Sequence, residues 1–116
     1  MSNQRVFQMK ISAIYTLYIQ KITKKGRTKD ELNQVIQWLT GYDEQGLLDQ
    51  FDQEADLAIF FGEAPQINTS ADKIRGVICG VRVENITDPL MQQIRWLDKL
   101  VDELAKGKKI AQILRS

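Results

Sequence analysis

The sequence predicts an all-α fold, a compact orthogonal bundle of five to six helices around the C-terminal helix. The alternative is the same fold with one minor β element. Apolar residues recur at helical spacing through most of the chain, and the segment 88–106 carries both a helix start and a helix stop. The chain has 116 residues, of which only two are proline and seven are glycine. We therefore expect one helical domain spanning residues 1–116.

The first ten residues are predicted to form an N-terminal arm that lies on the body. Apolar residues alternate in 7–11, but the chain offers few other strands with which such a segment would pair. The first helix is predicted from Ser12, a usable N-cap, to Lys25, with Gly26 ending it.

A basic turn connects the first two helices, and its side chains are candidate phosphate contacts: Lys24, Lys25, Arg27 and Lys29. The alternative is that these cations only complement the C-terminal dipole of the preceding helix. Thr28 and Glu31 then form the capping-box pattern that opens a second helix. Gly41 is predicted to end that helix.

Two shorter helical segments follow. Asp43 is predicted to cap the third helix, and the apolar residues of 57–64 are out of phase with those of 47–51. A break near residues 53–56 is therefore expected.

Residues 73–84 are the ambiguous segment. We predict a helix, in which Gly76 and Gly80 form a smooth patch, but alternation from Val77 to Val83 also fits a strand. If the segment is a strand, its expected partner is the N-terminal arm.

The last long helix begins with Asp88 as N-cap and Pro89 in its first turn, and Gly107 ends it. Its buried stripe is predicted to contain these residues: Leu90, Ile94, Leu97, Leu100, Val101 and Leu104. A short final turn near Ile110–Leu114 is expected to dock on the body.

Composition excludes several kinds of chemistry. The chain has no histidine and one cysteine, Cys79, so intramolecular disulfides, His-containing zinc sites and Cys-His or Ser-His catalytic pairs are ruled out. We expect Cys79 to be buried among Val77, Ile78 and Val81 and therefore inert. No catalytic residue, metal or cofactor is predicted.

The compartment predicted is the cytoplasm. The longest apolar run, residues 11–19, is too short to cross a bilayer, and the first residues lack the apolar core of a secretory signal.

Charges are segregated along the chain although the formal net charge is only +1. Residues 1–30 hold seven Lys or Arg and one Asp, and residues 31–64 hold eight acids and no Lys or Arg. Either the acidic and basic segments only pair or face solvent, or one pole recruits a partner of opposite charge.

Three segments together resemble a family of small bacterial proteins, domain of unknown function 2200: KKGRTKDELNQVIQWLTGY, GVICGVRVE and DPLMQQIRWLDKLVDELAKGKKIAQILR. The resemblance covers nearly the whole chain. It implies a stand-alone, cytosolic, mainly helical protein, and it supplies no catalytic or binding residues.

The function we predict is that of a non-enzymatic protein-interaction or self-associating module, whose expected partner is the protein itself, as a homo-oligomer, or another protein. The candidate interface residues are Trp38, Trp96, Leu97 and Leu100. The alternative is a nucleic-acid-binding domain that uses the basic turn 24–29. An enzyme that uses Cys79 ranks third.

Overall fold

The computed structural model describes residues 4–115. Within them lie seven α-helices: α1 (Gln4–Phe7), α2 (Ile11–Thr23), α3 (Lys29–Thr40), α4 (Glu44–Asp52), α5 (Leu57–Gly62), α6 (Pro89–Ala105) and α7 (Ile110–Ile113). A two-stranded sheet joins β1 (Val77–Ile78) to β2 (Val81–Arg82), and short 3-10 turns occupy Ala71–Lys73 and Val83–Asn85. The predicted all-α class with a minor β element is confirmed. The helix number exceeds six because α1 and α7 are single turns.

The last long helix lies at the centre of the bundle and packs against α2, α3, α5 and α7. The Asp88 carboxylate accepts a 3.0 Å hydrogen bond from the Met91 N–H, as an N-cap does, and Pro89 occupies the first helical position. The buried side of α6 comprises Met91, Ile94, Leu97, Leu100, Val101, Glu103, Leu104 and Ala105. The predicted stripe is therefore covered by the chain's own helices, except that Leu90 is only partly buried.

The helices α2 and α6 run parallel to each other. The Tyr18 hydroxyl bonds the Asp98 carboxylate, and one turn further on Lys21 Nζ lies 3.4 Å from the Asp102 carboxylate. Because both residue numbers increase in the same direction, the two C-terminal ends meet at one end of the molecule. This arrangement positions both surfaces described below.

Most local helix signals act as predicted. Thr28 and Glu31 form a reciprocal capping box, and Gly41 adopts the left-handed conformation after α3. The Asp43 carboxylate accepts the Gly46 N–H at 2.7 Å. The expected break is also present, because α4 ends at Asp52 and α5 begins at Leu57.

The predicted N-cap of the first helix is wrong. The helix begins at Ile11, whereas Ser12 as N-cap would start it two residues later, and no side chain caps it. The Ile11 N–H instead donates a 2.9 Å hydrogen bond to the carbonyl of Ala55, so the loop before α5 satisfies this helix end.

The N-terminal arm falls partly outside the described residues, which begin at Gln4. Residues 4–7 form a helical turn against α5 rather than an extended segment, with Val6 and Phe7 packed on the core. Lys10 then bridges to Asp56 in antiparallel fashion.

The helix predicted for residues 73–84 is wrong, and so is the pairing with the arm. The segment folds back on itself, pairing Val77 with Arg82 and Ile78 with Val81. The two turn residues, Cys79 and Gly80, have φ of 53° and 81°. Positive φ at both central positions is what a two-residue hairpin turn requires, and a helix does not permit it.

Candidate functional site

A groove of about 310 Å³ runs along α2 and α6, bordered by α1 and by the tip of the β1–β2 hairpin. Its apolar lining comprises Val6, Met9, Ile14, Leu17, Leu57 and Ile94. Ile94 and Leu57 form a buried floor, whereas Leu17 and Met9 remain 55% and 39% exposed at its border. The groove is thus a concave apolar surface that solvent reaches.

A chain of polar contacts follows one wall of this groove. The Tyr18 hydroxyl donates a 2.5 Å hydrogen bond to Asp98 Oδ1, and Arg95 Nη1 donates to Asp98 Oδ2 at 2.8 Å. The same Nη1 lies 3.3 Å from the Cys79 Sγ. Parallel packing of α2 on α6 and the turn of the hairpin therefore bring together groups from three parts of the sequence.

Two of these groups have shifted pKa values. Burial, together with the adjacent Asp98 carboxylate, raises the pKa of the Tyr18 hydroxyl well above its ordinary value, so Tyr18 remains a donor. Burial alone would lower the pKa of Arg95, but the hydrogen bond to Asp98 and the neighbouring Cys79 and Asp98 outweigh it and raise that pKa. Arg95 stays charged.

Both oxygens of the Asp98 carboxylate accept hydrogen bonds, one from Tyr18 and one from Arg95. Both oxygens are thus engaged, and the network can hold the hairpin against the two helices. What it leaves open to a ligand is the apolar part of the groove.

The predicted burial of Cys79 is wrong. Its side chain is exposed at the apex of the hairpin, because Val77 and Val81 do not enclose it and are themselves exposed. The thiol lines the groove instead of the core.

The four candidate interface residues occupy different surroundings. Leu97 and Leu100 are 1% and 0% exposed within a single chain, so they offer no side-chain surface to a second one. Trp38 and Trp96 are partly buried against the core. The Trp96 indole N–H is buried and has no hydrogen-bond acceptor among residues 4–115.

The four predicted phosphate contacts of the basic turn do not all face the same surface. Arg27 points inward, where it pairs with Glu31 at 2.7 Å and donates to the carbonyls of Leu104 and Lys108. Lys29 lines a second groove of about 290 Å³ beside Tyr15. Lys24 and Lys25 are exposed.

Sequence reasoning missed Leu17, Met9 and Arg95 as parts of the groove. One signal was present for Leu17, since it is a large apolar residue that falls off the stripe formed by Ile11, Tyr18 and Ile22 on α2. Nothing in the local sequence marks Arg95, because its contacts depend on the hairpin.

A sequence model of one bacterial protein family matches residues 5–115, and its description is "Uncharacterized protein conserved in bacteria (DUF2200)". The chain belongs to this family. The resemblance drawn from the three sequence segments is therefore confirmed, and DUF2200 membership extends over both α2 and α6. Neither the groove nor any residue is assigned a role by that description.

A solved structure described as "Crystal structure of uncharacterized protein SP1917" has the same fold as this DUF2200 chain. The two share 46% sequence identity, with 98% of this chain and 93% of the other covered and a TM-score of 0.90. A search of curated proteins found no match. The helical fold is thus shared with a crystal structure, and function must be argued from the surface.

Two further properties of the DUF2200 chain bear on the site. Within residues 4–115, no three His, Cys, Asp or Glu side chains are grouped so that they would hold a metal ion. No helix in that range is long and apolar enough to span a lipid bilayer.

Proposed function

We propose that the protein acts by binding rather than by catalysis, as a cytoplasmic interaction module whose first partner is a second copy of itself. The observation that carries the proposal is the apolar groove between α2, α6 and α1, with Leu17 exposed at its border.

Exposed apolar side chains indicate an interaction surface when they are grouped. Among residues 4–115, the exposed large apolar side chains are Met9, Leu17, Leu48, Ile59, Val77 and Val81. Two of them, Met9 and Leu17, border one groove whose floor is already apolar. An apolar depression with projecting aliphatic side chains is typical of a protein interaction surface, whereas singly scattered apolar residues need no such explanation.

A second copy suits this surface because a twofold interface uses the same patch on both subunits. Leu17 projects beside the groove, so two copies facing each other across a twofold axis place each Leu17 against the partner's groove. This surface differs from the one suggested by Leu97 and Leu100, because the chain's own helices cover those residues.

Catalysis through Cys79 has weaker support. The exposed thiol removes burial as a reason for inertness, but the one carboxylate of its polar chain, Asp98, already accepts two hydrogen bonds. A cysteine nucleophile needs a neighbouring group that takes its proton or stabilises the thiolate. Arg95 Nη1, 3.3 Å from the Cys79 Sγ, is a cation that would stabilise a thiolate but does not accept the proton of the thiol.

Sedimentation velocity over a wide range of micromolar concentrations tests the proposal. The wild-type protein is expected to shift from monomer to dimer as concentration rises, and Leu17→Asp is expected to stay monomeric because an unpaired carboxylate would be buried in the interface. Leu48→Asp is the matched control, since Leu48 is 46% exposed but lines the other groove.

A wild-type protein that remains monomeric throughout contradicts self-association. Equal loss of the dimer in Leu17→Asp and Leu48→Asp would contradict the placement of the interface. Circular dichroism of both variants establishes that each retains the helical fold.

A further inference from the structure

Two basic turns meet at one end of the molecule. The turn after α2 and the turn after α6 are adjacent because both helices end there, and Arg27 joins them. Its backbone N–H bonds the Ile22 carbonyl at 3.1 Å, and its Nη1 bonds the carbonyls of Leu104 and Lys108 at 3.2 and 2.7 Å. The lysines on the two turns, here called the basic pole, are Lys24, Lys25, Lys106, Lys108 and Lys109.

Only part of this charge is neutralised. Lys106 lies 3.0 Å from Asp102, and Lys108 lies 3.6 Å from Glu103. Lys24, Lys25 and Lys109 are exposed and have no acidic side chain within 4 Å among the described residues. Three ammonium groups at this end therefore face solvent with no acidic partner in residues 4–115.

Complementing helix dipoles does not account for all of this charge. Each helix C-terminus carries about half a negative charge, so the ends of α2 and α6 together supply about one. Three unpaired lysines exceed that by about two charges. The nearby carboxylate of Asp30 does not make up the difference, because it lines a different surface with Gln34 and Glu44.

Glu54 and Asp56, two carboxylates of the acidic segment, lie at the opposite end of α2. The Ala55 carbonyl accepts the Ile11 N–H at the helix start, and Lys10 lies 3.9 Å from Glu54. Thirteen residues at about 1.5 Å each separate the two ends by roughly 20 Å. This is about twice the Debye length of 8–10 Å at physiological salt, so the acidic end does not repel an anion at the basic pole.

We propose that the basic pole binds the phosphate backbone of nucleic acid without reading its sequence. Phosphates receive half or more of the hydrogen bonds in such complexes, and lysine is among the side chains that make them. An acidic protein fits the surface less well. Protein interfaces are depleted in lysine and need apolar contact, and none of the exposed large apolar residues in the described part of the chain lies in these two turns.

Fluorescence anisotropy with a labelled DNA duplex of random sequence, titrated with the full-length protein at several salt concentrations, tests this proposal. Three phosphate contacts give a slope of log affinity against log salt of about −2.7, which is about a 40-fold loss between 50 and 200 mM salt. The variant Lys24→Gln/Lys25→Gln/Lys109→Gln is expected to lose binding and to flatten this slope by nearly all of that value.

The matched control is Arg5→Gln/Lys10→Gln/Arg82→Gln, which removes the same charge at the other end of the molecule. Arg5 is in α1, Lys10 precedes α2, and Arg82 lies beside Asp88 and Met91 at the start of α6. Long-range attraction is screened, so this control is expected to keep the slope of the wild-type protein. Thermal unfolding of both triple variants checks that each is folded.

Three results would overturn the proposal: no anisotropy change at 50 mM salt, an equal loss of affinity in the control variant, or poly-glutamate of matched charge competing as well as unlabelled DNA. The last result would assign the basic pole to an acidic polypeptide instead. Displacement by unlabelled DNA but not by poly-glutamate, together with the loss in the Lys24, Lys25 and Lys109 variant, supports it.

Discussion

The guanidinium of Arg27 donates a 3.2 Å hydrogen bond to the carbonyl oxygen of Leu104, which ties the loop after α2 to the last turn of α6. The same side chain is 14% exposed and forms a two-point contact with Glu31, at 3.1 Å through Nε and 2.7 Å through Nη2. A residue predicted as a phosphate contact is thus a structural link between two helices.

Arg27→Ala is expected to lower the free energy of unfolding by about 2–3 kcal/mol, because it removes the cation bonded to Glu31 Oε2 and one donor to each of the Leu104 and Lys108 carbonyls. Arg27→Lys should recover only part of this loss, since an ammonium group lacks the planar fork. Urea denaturation measures both. Lys24→Ala, three residues away and exposed, serves as the control and should change stability by under about 0.5 kcal/mol; an equal effect there would contradict the assigned role.

Gly41 and Gly26 form a matched pair, since their φ values are 79° and 78°. A Cβ at Gly41 would meet the backbone N and O of Gln66 at 3.0 Å, whereas one at Gly26 meets nothing within 4 Å. Gly26→Ala should therefore cost about 1–2 kcal/mol for the left-handed backbone alone. Gly41→Ala should cost a further 1–3 kcal/mol, roughly the penalty of overpacking. Equal losses in thermal or urea unfolding would show that the contact with Gln66 carries no cost.

Alkaline pH is expected to unfold the protein. Burial raises the pKa of all three tyrosines, Tyr15, Tyr18 and Tyr42, and brings that of Tyr42 to about 12. A folded-state pKa above the unfolded value of about 10 leaves stability intact below pH 10 and removes it as the pH rises through 12. For Tyr42 alone the loss approaches about 3 kcal/mol.

The measurement is the free energy of unfolding between pH 9 and about 12, with tyrosinate absorbance recorded on the same samples. Tyr42→Phe is the informative variant, because it keeps the ring beside Phe60, at 4.9 Å between centroids, and removes the hydroxyl. Its stability should decline less steeply above pH 10 than that of the wild-type protein. Identical slopes would mean that Tyr42 does not contribute.

The Cys79 thiol is expected to react in the native protein. A core cysteine reacts only through unfolded molecules, which make up about one part in a thousand or fewer. Since Cys79 is exposed, its reaction with a disulfide reagent such as Ellman's should come within about tenfold of the rate in denaturant. Cys79→Ser gives the background. A native rate a thousandfold slower than the rate in denaturant would indicate that Cys79 is buried, as the sequence predicted.

The sequence predicts helix ends best, because a cap and its partner lie within four residues. Thr28 with Glu31, Gly41, Asp43 and Asp88 all act as expected. The exception, Ser12, fails because a long-range acceptor, the Ala55 carbonyl, satisfies the Ile11 N–H instead. Local chemistry therefore decides most helix boundaries but not those that a distant segment completes.

The hairpin and the groove were beyond such reasoning for different physical reasons. In residues 73–84 the apolar pattern fits both the helical and the strand period. The feature that makes the segment a hairpin is the positive φ of Cys79, which a non-glycine residue seldom adopts. The groove depends on Tyr18 meeting Asp98, a pairing 80 residues apart that no local pattern encodes. The link that Arg27 makes to α6 is not predictable locally for the same reason, since its acceptor on Leu104 is 77 residues away.

The parallel packing of α2 on α6 also sets the order of events during synthesis. Because the partner of Tyr18 is translated 80 residues later, α2 has no complete apolar surface to cover it while the chain is still emerging from the ribosome. Contacts of α2 with α3 and α4 can form earlier, but the side of α2 that packs on α6 stays uncovered until α6 has been translated.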